Sequence, residues 1–545
     1  MSETGAPVPV MLVSAETAAS LDREASASWG LSPFALVEAA GRACAAALVS
    51  AGEAARGAGV LVCAGPGNNG ADALVMLRSL LTGGNRSGIR EAAVLVSRLP
   101  AGDERSPRSE ALKALGAMGV PAAAWNGDGA PELFSRFPLI IDGIAGTGIR
   151  GPLEGIPLEM VRTLNEEKLR RGKACRVLSI DVPSGAGDAW EPGSPVVSAD
   201  YTFAVEPLKR ALYTPALRPR CGRIVPVTGI FPPALLDRYA VPERTAELLR
   251  WENVRTRIPA VPPDAYKYTR GAAEIHAGSP GFAGAARLAA AGASAAGAGL
   301  VRLVVDDELY PLAASGSGGT MVVPASKARG TEKRFSADAL LLGPGWGRGG
   351  ERQEVLDHGL EVEGRGIPLI LDADGIALLA GQEGGRAGSL EGRGKTVFHR
   401  RVILTPHAGE LEALTGIPKE RLLAEPERIR ETANRLNGVI LFKSHVMIVA
   451  EPEGPGRGRI GFIDGMDGAL GAGGSGDLLA GFCAAIAARM KAMERRGAVF
   501  DGYTAAAAAG TLLIEASRGM GGRFYDPLEL ASPAAAAAGR AWLEA

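Results

Sequence analysis

Two glycine-rich turns, each carrying a carboxylate, stand near opposite ends of this 545-residue chain: Gly65-Pro66-Gly67-Asn68-Asn69-Gly70-Ala71-Asp72 and Gly471-Ala472-Gly473-Gly474-Ser475-Gly476-Asp477. Each leads into a helical pattern. Each therefore presents backbone N–H groups and one acid at a helix N-terminus, where a phosphate is stabilised. Two different loops of this kind point to two active sites handling similar phosphorylated molecules. In the second, Gly474, Ser475 and Gly476 form an anion hole for a transferring phosphoryl group, and Asp477 is placed to accept a hydroxyl proton. Lys443 follows an apolar run, Val439-Ile440-Leu441-Phe442, at a position from which it can meet nucleotide phosphate.

Further acids fall where apolar runs end. Asp142 precedes Gly143-Ile144-Ala145-Gly146-Thr147-Gly148, and Asp181 precedes Val182-Pro183-Ser184-Gly185. In an open parallel sheet the carboxyl ends of the strands form the ligand crevice, so the loops 65–72, 142–148 and 181–185 converge there. The first loop matches Gly-x-Gly-x-x-Gly, but a dinucleotide fingerprint also requires an acid at the end of the next strand. That strand runs into Ser97 and Arg98, which argues against the standard NAD-binding reading.

The elements that position these residues read as α/β in both halves. Strands are expected at 59–64, 93–96, 139–142, 176–181 and 201–205, with helices at 71–81 and 109–118 between them. Continuous apolar strands separated by helices indicate a parallel sheet covered on both faces. Prolines cluster between about Phe231 and Asp264, which places the domain boundary there. Alternation then restarts, with strands at 274–278, 300–305, 339–342, 369–372, 402–404 and 439–442 and helices at 283–296, 478–488 and 503–517. The motifs of the halves differ, so this is a fusion and not a duplication.

Composition agrees with a soluble multidomain protein. The length exceeds one compact core, and a net charge of −1 gives no bias toward nucleic acid or membrane. The five cysteines are scattered, with Cys63 and Cys483 in apolar runs, so neither a zinc site nor a disulfide framework is expected. The stretch Met1–Ser14 has no basic leader, and no apolar run reaches the ~18 residues of a membrane span. A reduced cytosol is the expected location. The sequon Asn85-Arg86-Ser87 is a chance match in that setting. Arg393-Gly394-Lys395-Thr396 lacks the leading glycine of a Walker A, because position 389 is serine; it is expected to be a basic surface loop.

The first half resembles the NAD(P)H-hydrate epimerases over about residues 10–235. The matching stretches are Leu36-Val37-Glu38-Ala39-Ala40-Gly41, the Asn68-Asn69 loop, Asp142–Gly148 and Asp181-Val182-Pro183-Ser184-Gly185. The second half resembles the NAD(P)H-hydrate dehydratases, relatives of the ribokinase-like kinases, over about residues 264–530. Its matches are Gly343-Pro344-Gly345-Trp346-Gly347, Leu371-Asp372-Ala373-Asp374, Leu404–Glu410, Leu441–His445 and Gly473–Asp477. The resemblance implies a Rossmann-like three-layer epimerase domain over 1–235, a linker over 236–263, and a ribokinase-like dehydratase domain over 264–545.

By that resemblance, the hydrated nicotinamide nucleotide meets Asn68, Asn69, Gly70, Ala71 and Asp72, together with Gly146, Thr147, Gly148, Ile149, Arg150, Gly151 and Pro152. Asn69, Asp142 and Ser184 hold a potassium ion, and Asp181 is the acid/base residue. In the second domain Ala285, Gly347, His407 and Asp477 face the hydrate. Lys443, Ser444, His445, Val446, Met447 and Gly476 face the donor nucleotide, ADP or ATP with Mg2+. Phosphorylation of the 6-hydroxyl and loss of phosphate would restore NADH or NADPH. A homo-oligomer is expected.

The chain departs from the family at Ala71 and Ala73, where glycines are usual, and Ala71 is expected to crowd a backbone–phosphate approach. At Ser444 a side chain replaces a glycine and is expected to narrow the donor loop. Two other readings compete: a ribokinase-like hydroxyl kinase, disfavoured because Asn-x-x-Glu is absent after Pro263, and a non-catalytic nucleotide-binding scaffold, disfavoured by intact Asp181 and Asp477.

Overall fold

A computed structural model describes residues 10–51, 58–83, 88–101, 103–127, 130–149, 151–241, 245–328, 335–381 and 398–543. The chain forms two compact units, one over Met11–Thr245 and the other built on Ala246–Ala545. The sequon and the basic loop around Lys395 lie outside the described residues.

In the first unit seven strands lie side by side in the order Ala122–Ala124, Glu91–Val96, Gly59–Ala64, Leu139–Gly143, Arg176–Ile180, Tyr201–Val205 and Arg223–Val227. All pair in parallel, with Val60 opposite Leu139 and Leu139 opposite Arg176. Strand side chains alternate between faces. Val60, Val62 and Ala64 enter one apolar cluster, and Leu61 and Cys63 enter another on the opposite face. A strand buried on both faces must be apolar throughout, which is why these runs lack polar–apolar alternation. Strand order reverses between Gly59–Ala64 and Leu139–Gly143, and the loops that leave their carboxyl ends diverge at that switch point.

Glycine is required where those loops touch. A Cβ on Gly65 would lie 1.8 Å from the Ile144 carbonyl oxygen, and one on Gly70 would lie 2.4 Å from that of Gly65.

The helix Pro33–Ser50, capped by the Ser32 side chain, is long and apolar enough on average to cross a membrane, although Glu38 and Arg42 interrupt it so that no unbroken apolar run of that length occurs. Here it buries Val37, Ala40, Gly41, Cys44, Ala45 and Leu48. Gly41 sits so close to the helix Asn68–Thr82 that a Cβ would lie 2.6 Å from Val75.

The second unit carries ten strands in the order Met321–Pro324, Leu300–Val305, Ala272–His276, Ala339–Leu342, Leu369–Leu371, Val402–Leu404, Val439–Phe442, Val446–Ala450, Ile460–Asp464 and Thr245–Leu248. The pairings are parallel except on either side of Val446–Ala450. Helices Ala283–Ala295 and Ser475–Met493 pack nearly backbone to backbone. A Cβ on Gly481 would lie 2.1 Å from the Ala289 carbonyl, and one on Gly292 would lie 2.3 Å from that of Leu478. The glycine and alanine richness of these segments therefore has a packing role.

The expected linker 236–263 is not a linker over most of its length. Thr245–Leu248 pairs with Ile460–Asp464, and Trp251, Val254 and Ile258 are buried in the second core. The short helices Trp251–Val254 and Arg255–Arg257 follow that strand, and Pro259, Pro262 and Pro263 come after them in the irregular approach to the second sheet. Expected strands at 59–64, 300–305, 339–342, 402–404 and 439–442 coincide with the observed ones.

Candidate active sites

In the first unit the carboxyl ends of the strands open into a cavity of about 1050 Å³. Asn68, Asn69, Gly70 and Asp72 line it from the start of their helix, and Gly146, Thr147, Gly148 and Ile149 line it from the neighbouring loop. Asp181 joins them from the end of Arg176–Ile180, in a left-handed conformation at φ 63° that aims its carboxylate off the strand axis.

Three expected residues do not reach the wall. Ala71 is 1% exposed and its methyl packs in the apolar core, so it does not crowd the loop as the sequence led us to expect. On a helix, residues at adjacent positions point about 100° apart, and only the neighbours of Ala71 face the cavity. Gly151 and Pro152 pass behind, and Leu153 and Pro157 line the cavity instead. Arg150 lies outside the described residues.

Beneath the wall Asp142 is fully buried and accepts four hydrogen bonds: from Ile144 N–H (3.2 Å), Ser179 Oγ (2.8 Å), Ser184 N–H (2.9 Å) and Ser184 Oγ (2.5 Å). Burial raises its pKa above the ordinary carboxylate range, and these donors work against that rise. Asn69 donates through Nδ2 to the Ala145 carbonyl (3.1 Å), while its Oδ1 is buried with no hydrogen-bond partner. Asn69 Oδ1, Asp142 and Ser184 thus offer only oxygen donors, one of them orphaned, which suits a hard cation.

Three wall residues escaped the sequence reading. Lys209 is buried, places Nζ 2.7 Å from Asp181 Oδ1 and donates to the Val205 carbonyl at 2.9 Å. Asp22, exposed at the rim on the helix Ala15–Ser28, lines the cavity, and partial desolvation there raises its pKa. Glu206 accepts from Ile230 N–H (2.6 Å) and Phe231 N–H (2.9 Å), holding that loop over the cavity. The available signal was the one that marked Lys443: a lysine just past an apolar strand.

In the second unit Asp477 stands in the first turn of Ser475–Met493, whose cap Gly474 adopts φ 102°. Burial first, and then Asp372, push its pKa up to about 7, with Lys443 opposing and Glu410 adding to the rise. Lys443 is tied to Asp372 at 2.6 Å and lies 3.8 Å from Glu410. Burial works against its ammonium, but Asp372 and Glu410 outweigh it and hold the pKa above the usual lysine value. Asp372 also accepts from Thr405 Oγ1 at 2.6 Å. A Cβ on Gly476 would lie 3.4 Å from Lys443 Nζ, so this glycine and the lysine share one wall.

His407 forms a parallel bridge with Lys443 and caps the helix Ala408–Thr415. Its Nδ1 accepts from Gly409 and Glu410 N–H groups (3.0 and 3.1 Å), which turns Nε2 outward. Gly347 N–H donates to Asp374 at 2.8 Å. Ala285 lies against the same loop, where a Cβ on Gly345 would be 2.8 Å from its methyl.

Of the expected donor residues, Lys443, Ser444 and His445 are accessible, and the Ser444 hydroxyl turns back onto the Val446 carbonyl. Val446 and Met447 are buried strand residues, and Met447 packs in the apolar core, so they can offer a ligand only backbone. Ser475 N–H is spent on the Ala472 carbonyl at 3.4 Å, closing the loop rather than joining the anion hole. Among the described residues no group of three or more His, Cys, Asp or Glu could hold a metal. A magnesium ion here would be carried largely by nucleotide phosphates.

A cavity lined by acids in one unit and a lysine–carboxylate cluster at a glycine-rich helix start in the other fit a two-site α/β enzyme, and the comparisons agree. Residues 33–211 match the family model described as YjeF-related protein N-terminus, and residues 273–523 match that of NAD(P)H-hydrate dehydratase. A bifunctional NAD(P)H-hydrate repair enzyme of Salinibacter ruber is 33% identical over 508 residues, covering 88% of each chain. One from Thermofilum pendens is 31% identical, covering 86% of this chain and 85% of its own, and the Escherichia coli enzyme is 29% identical, covering 85% and 82%. The chain belongs to the bifunctional NAD(P)H-hydrate repair enzymes. Among solved structures, an ADP/ATP-dependent NAD(P)H-hydrate dehydratase from Bacillus subtilis, co-crystallised with ATP and Mg2+, covers 54% of this chain and 99% of its own at 26% identity and a TM-score of 0.44.

Proposed function

We propose that the first unit interconverts the R and S hydrates of NADH or NADPH, and that the second dehydrates the S form at the expense of a nucleotide, with ADP preferred. The observation that carries this reading is the pair of half-buried carboxylates on different units, Asp181 at the carboxyl end of a strand beside Lys209 and Asp477 at a glycine-rich helix start.

At the first site Asp181, paired with Lys209, moves the proton of the 6-hydroxyl. Asn69, Asp142 and Ser184 would hold potassium, which supplies a fixed positive charge beneath the wall. At the second site Asp477 takes the hydroxyl proton while the helix N-terminus and Lys443 hold the phosphoryl group. The C6–O bond then breaks with its electron pair leaving on phosphate, a proton departs from C5, and the C5–H electrons form the C5=C6 bond of the restored ring. A Mg2+ ion bound to the nucleotide phosphates would offset their charge. Five buried free cysteines favour a reduced cytosol as the setting, and a homo-oligomer is the assembly we expect. The hydroxyl-kinase reading stays second, because His407-x-x-Glu410 occupies the loop with both residues bonded to each other.

Recovery of nicotinamide absorbance from a mixture of R and S hydrates tests this, with ADP and ATP compared. The wild type converts the whole mixture. Asp181→Ala leaves S conversion intact and stalls with R remaining, as read by chiral chromatography. No recovery from S hydrate with either nucleotide would overturn the dehydratase assignment.

A further inference from the structure

Three carboxylates and one ammonium face each other in the first cavity. Asp22, Asp72 and Asp181 arrive from three elements, and Lys209 from a fourth. The ammonium is committed to Asp181 Oδ1 at 2.7 Å and to the Val205 carbonyl at 2.9 Å. Asp72 has no such partner: its Oδ1 is buried and without a hydrogen bond among the described residues. Asp22 is exposed at the rim, whereas Asp72 and Asp181 each bury Oδ1 and share a single cation, which favours a proton on the carboxyl that the cation does not pair.

The groups facing Asp72 single it out. They are Asp181, Lys209, Asp22 and the thiol of Cys44 on the helix Pro33–Ser50. Burial pushes Asp72 well above the ordinary carboxylate range, Asp181 and Asp22 add to that, and Lys209 only opposes it.

We propose that Asp72 is the general acid of the epimerase, a second catalytic residue that works opposite Asp181. The assignment rests on the epimerase reading above. C6 of the hydrate carries both the hydroxyl and ring nitrogen N1, so its configuration is lost by opening the hemiaminal. Asp181 takes the hydroxyl proton and the C6=O bond forms. The C6–N1 bond breaks with its electron pair moving to N1, and N1 takes the Asp72 proton. Rotation about C5–C6 presents the other face of the aldehyde. N1 then attacks C6, returning its proton to Asp72 as the oxygen regains one from Asp181. Nothing is oxidised or consumed, and both carboxyls end as they began. A cavity of about 1050 Å³ leaves room for that rotation.

The test uses the full chain, pure R hydrate and excess ADP, so that the second site reports every S molecule formed. Asp72→Asn keeps the shape and removes the acid. It should lower R conversion about 100-fold or more while S conversion is unchanged. In the wild type, R conversion should fall at high pH as Asp72 loses its proton, a limb that a purely structural residue would not produce. Asp72→Glu restores an acid, and with it a measurable rate and an alkaline limb at a shifted position. This variant also decides the matter should Asp72→Asn fail to fold. R conversion by Asp72→Asn within threefold of wild type, with Asp181→Asn inactive, overturns the role of Asp72 alone. Both variants converting R like the wild type would instead overturn the epimerase reading of the site.

Discussion

The two sites use the same parts and connect them differently. Each has a buried carboxylate at a glycine-rich helix start and a lysine just past a strand. In the first unit the lysine goes to the strand-end acid Asp181 and leaves the helix acid, Asp72, alone. In the second, Lys443 goes to the strand-end acid Asp372, and the helix acid Asp477 is again the one without the direct ion pair. The proposed base is thus the paired acid in one unit and the unpaired acid in the other. Asp477 is buried less completely than Asp72, and its pKa rises only to about 7, so near neutrality it exchanges a proton readily. Burial raises Asp72 well above the ordinary carboxylate range too, and the cation beside it is committed to Asp181. Which acid the lysine selects, and how deeply the other is buried, decides which carboxyl takes a proton and which supplies one.

The strongest way to break this comparison is Asp477→Asn. It removes the base without changing the shape and should cost about 100-fold or more in turnover of S hydrate, with nucleotide binding retained in titration calorimetry. Near wild-type turnover would remove Asp477 from the chemistry. The wild-type rate should rise with pH through about 7, because the base must be deprotonated to act. Lys443→Met is expected to have a smaller effect, roughly tenfold in turnover. It removes the group that opposes the rise at Asp477, so the midpoint of the pH–rate profile should move above that of the wild type. An unmoved midpoint would mean that Lys443 and Asp477 do not sense each other.

Much of this was legible in the sequence. Strands buried on both faces announce themselves as unbroken apolar runs, and 59–64 and 439–442 were placed to the residue. The helix acids Asp72 and Asp477 were marked by the glycines before them. The unread parts are those whose evidence is three-dimensional. Asp22 carries no local pattern, and a lysine just past an apolar strand does not reveal what Lys209 pairs with; they matter because a short strand and an N-terminal helix bring them against Asp181. Ala71 was misjudged because a sequence gives its distance from a motif and not the side of the helix it occupies. The stretch around Thr245 was read as a tether from its prolines, whereas its strand completes the second sheet. Met447 follows the donor lysine by four residues, yet strand alternation turns it into the core.

The smallest expected effect separates burial from catalysis. Asp477 loses its proton near its ordinary value of 3.8 when unfolded and only near about 7 when folded. Between those values the folded state binds more protons than the unfolded one, so stability falls as pH rises through that window. Below it both states are protonated and nothing is lost; above it the full cost is present. Asparagine has no proton to lose and escapes the cost. Asp477→Asn should therefore melt like the wild type at pH 4 and roughly 2–4 °C higher at pH 8, in the transition of the unit that contains it. Asp374→Asn is the control, since that carboxylate is already engaged by Gly347 N–H and Arg348 and gains nothing from losing its charge. Equal melting of Asp477→Asn and wild type at both pH values would mean that Asp477 is not buried in an anionic neighbourhood. The contrast between the two lysines' choices would then fail at its second site.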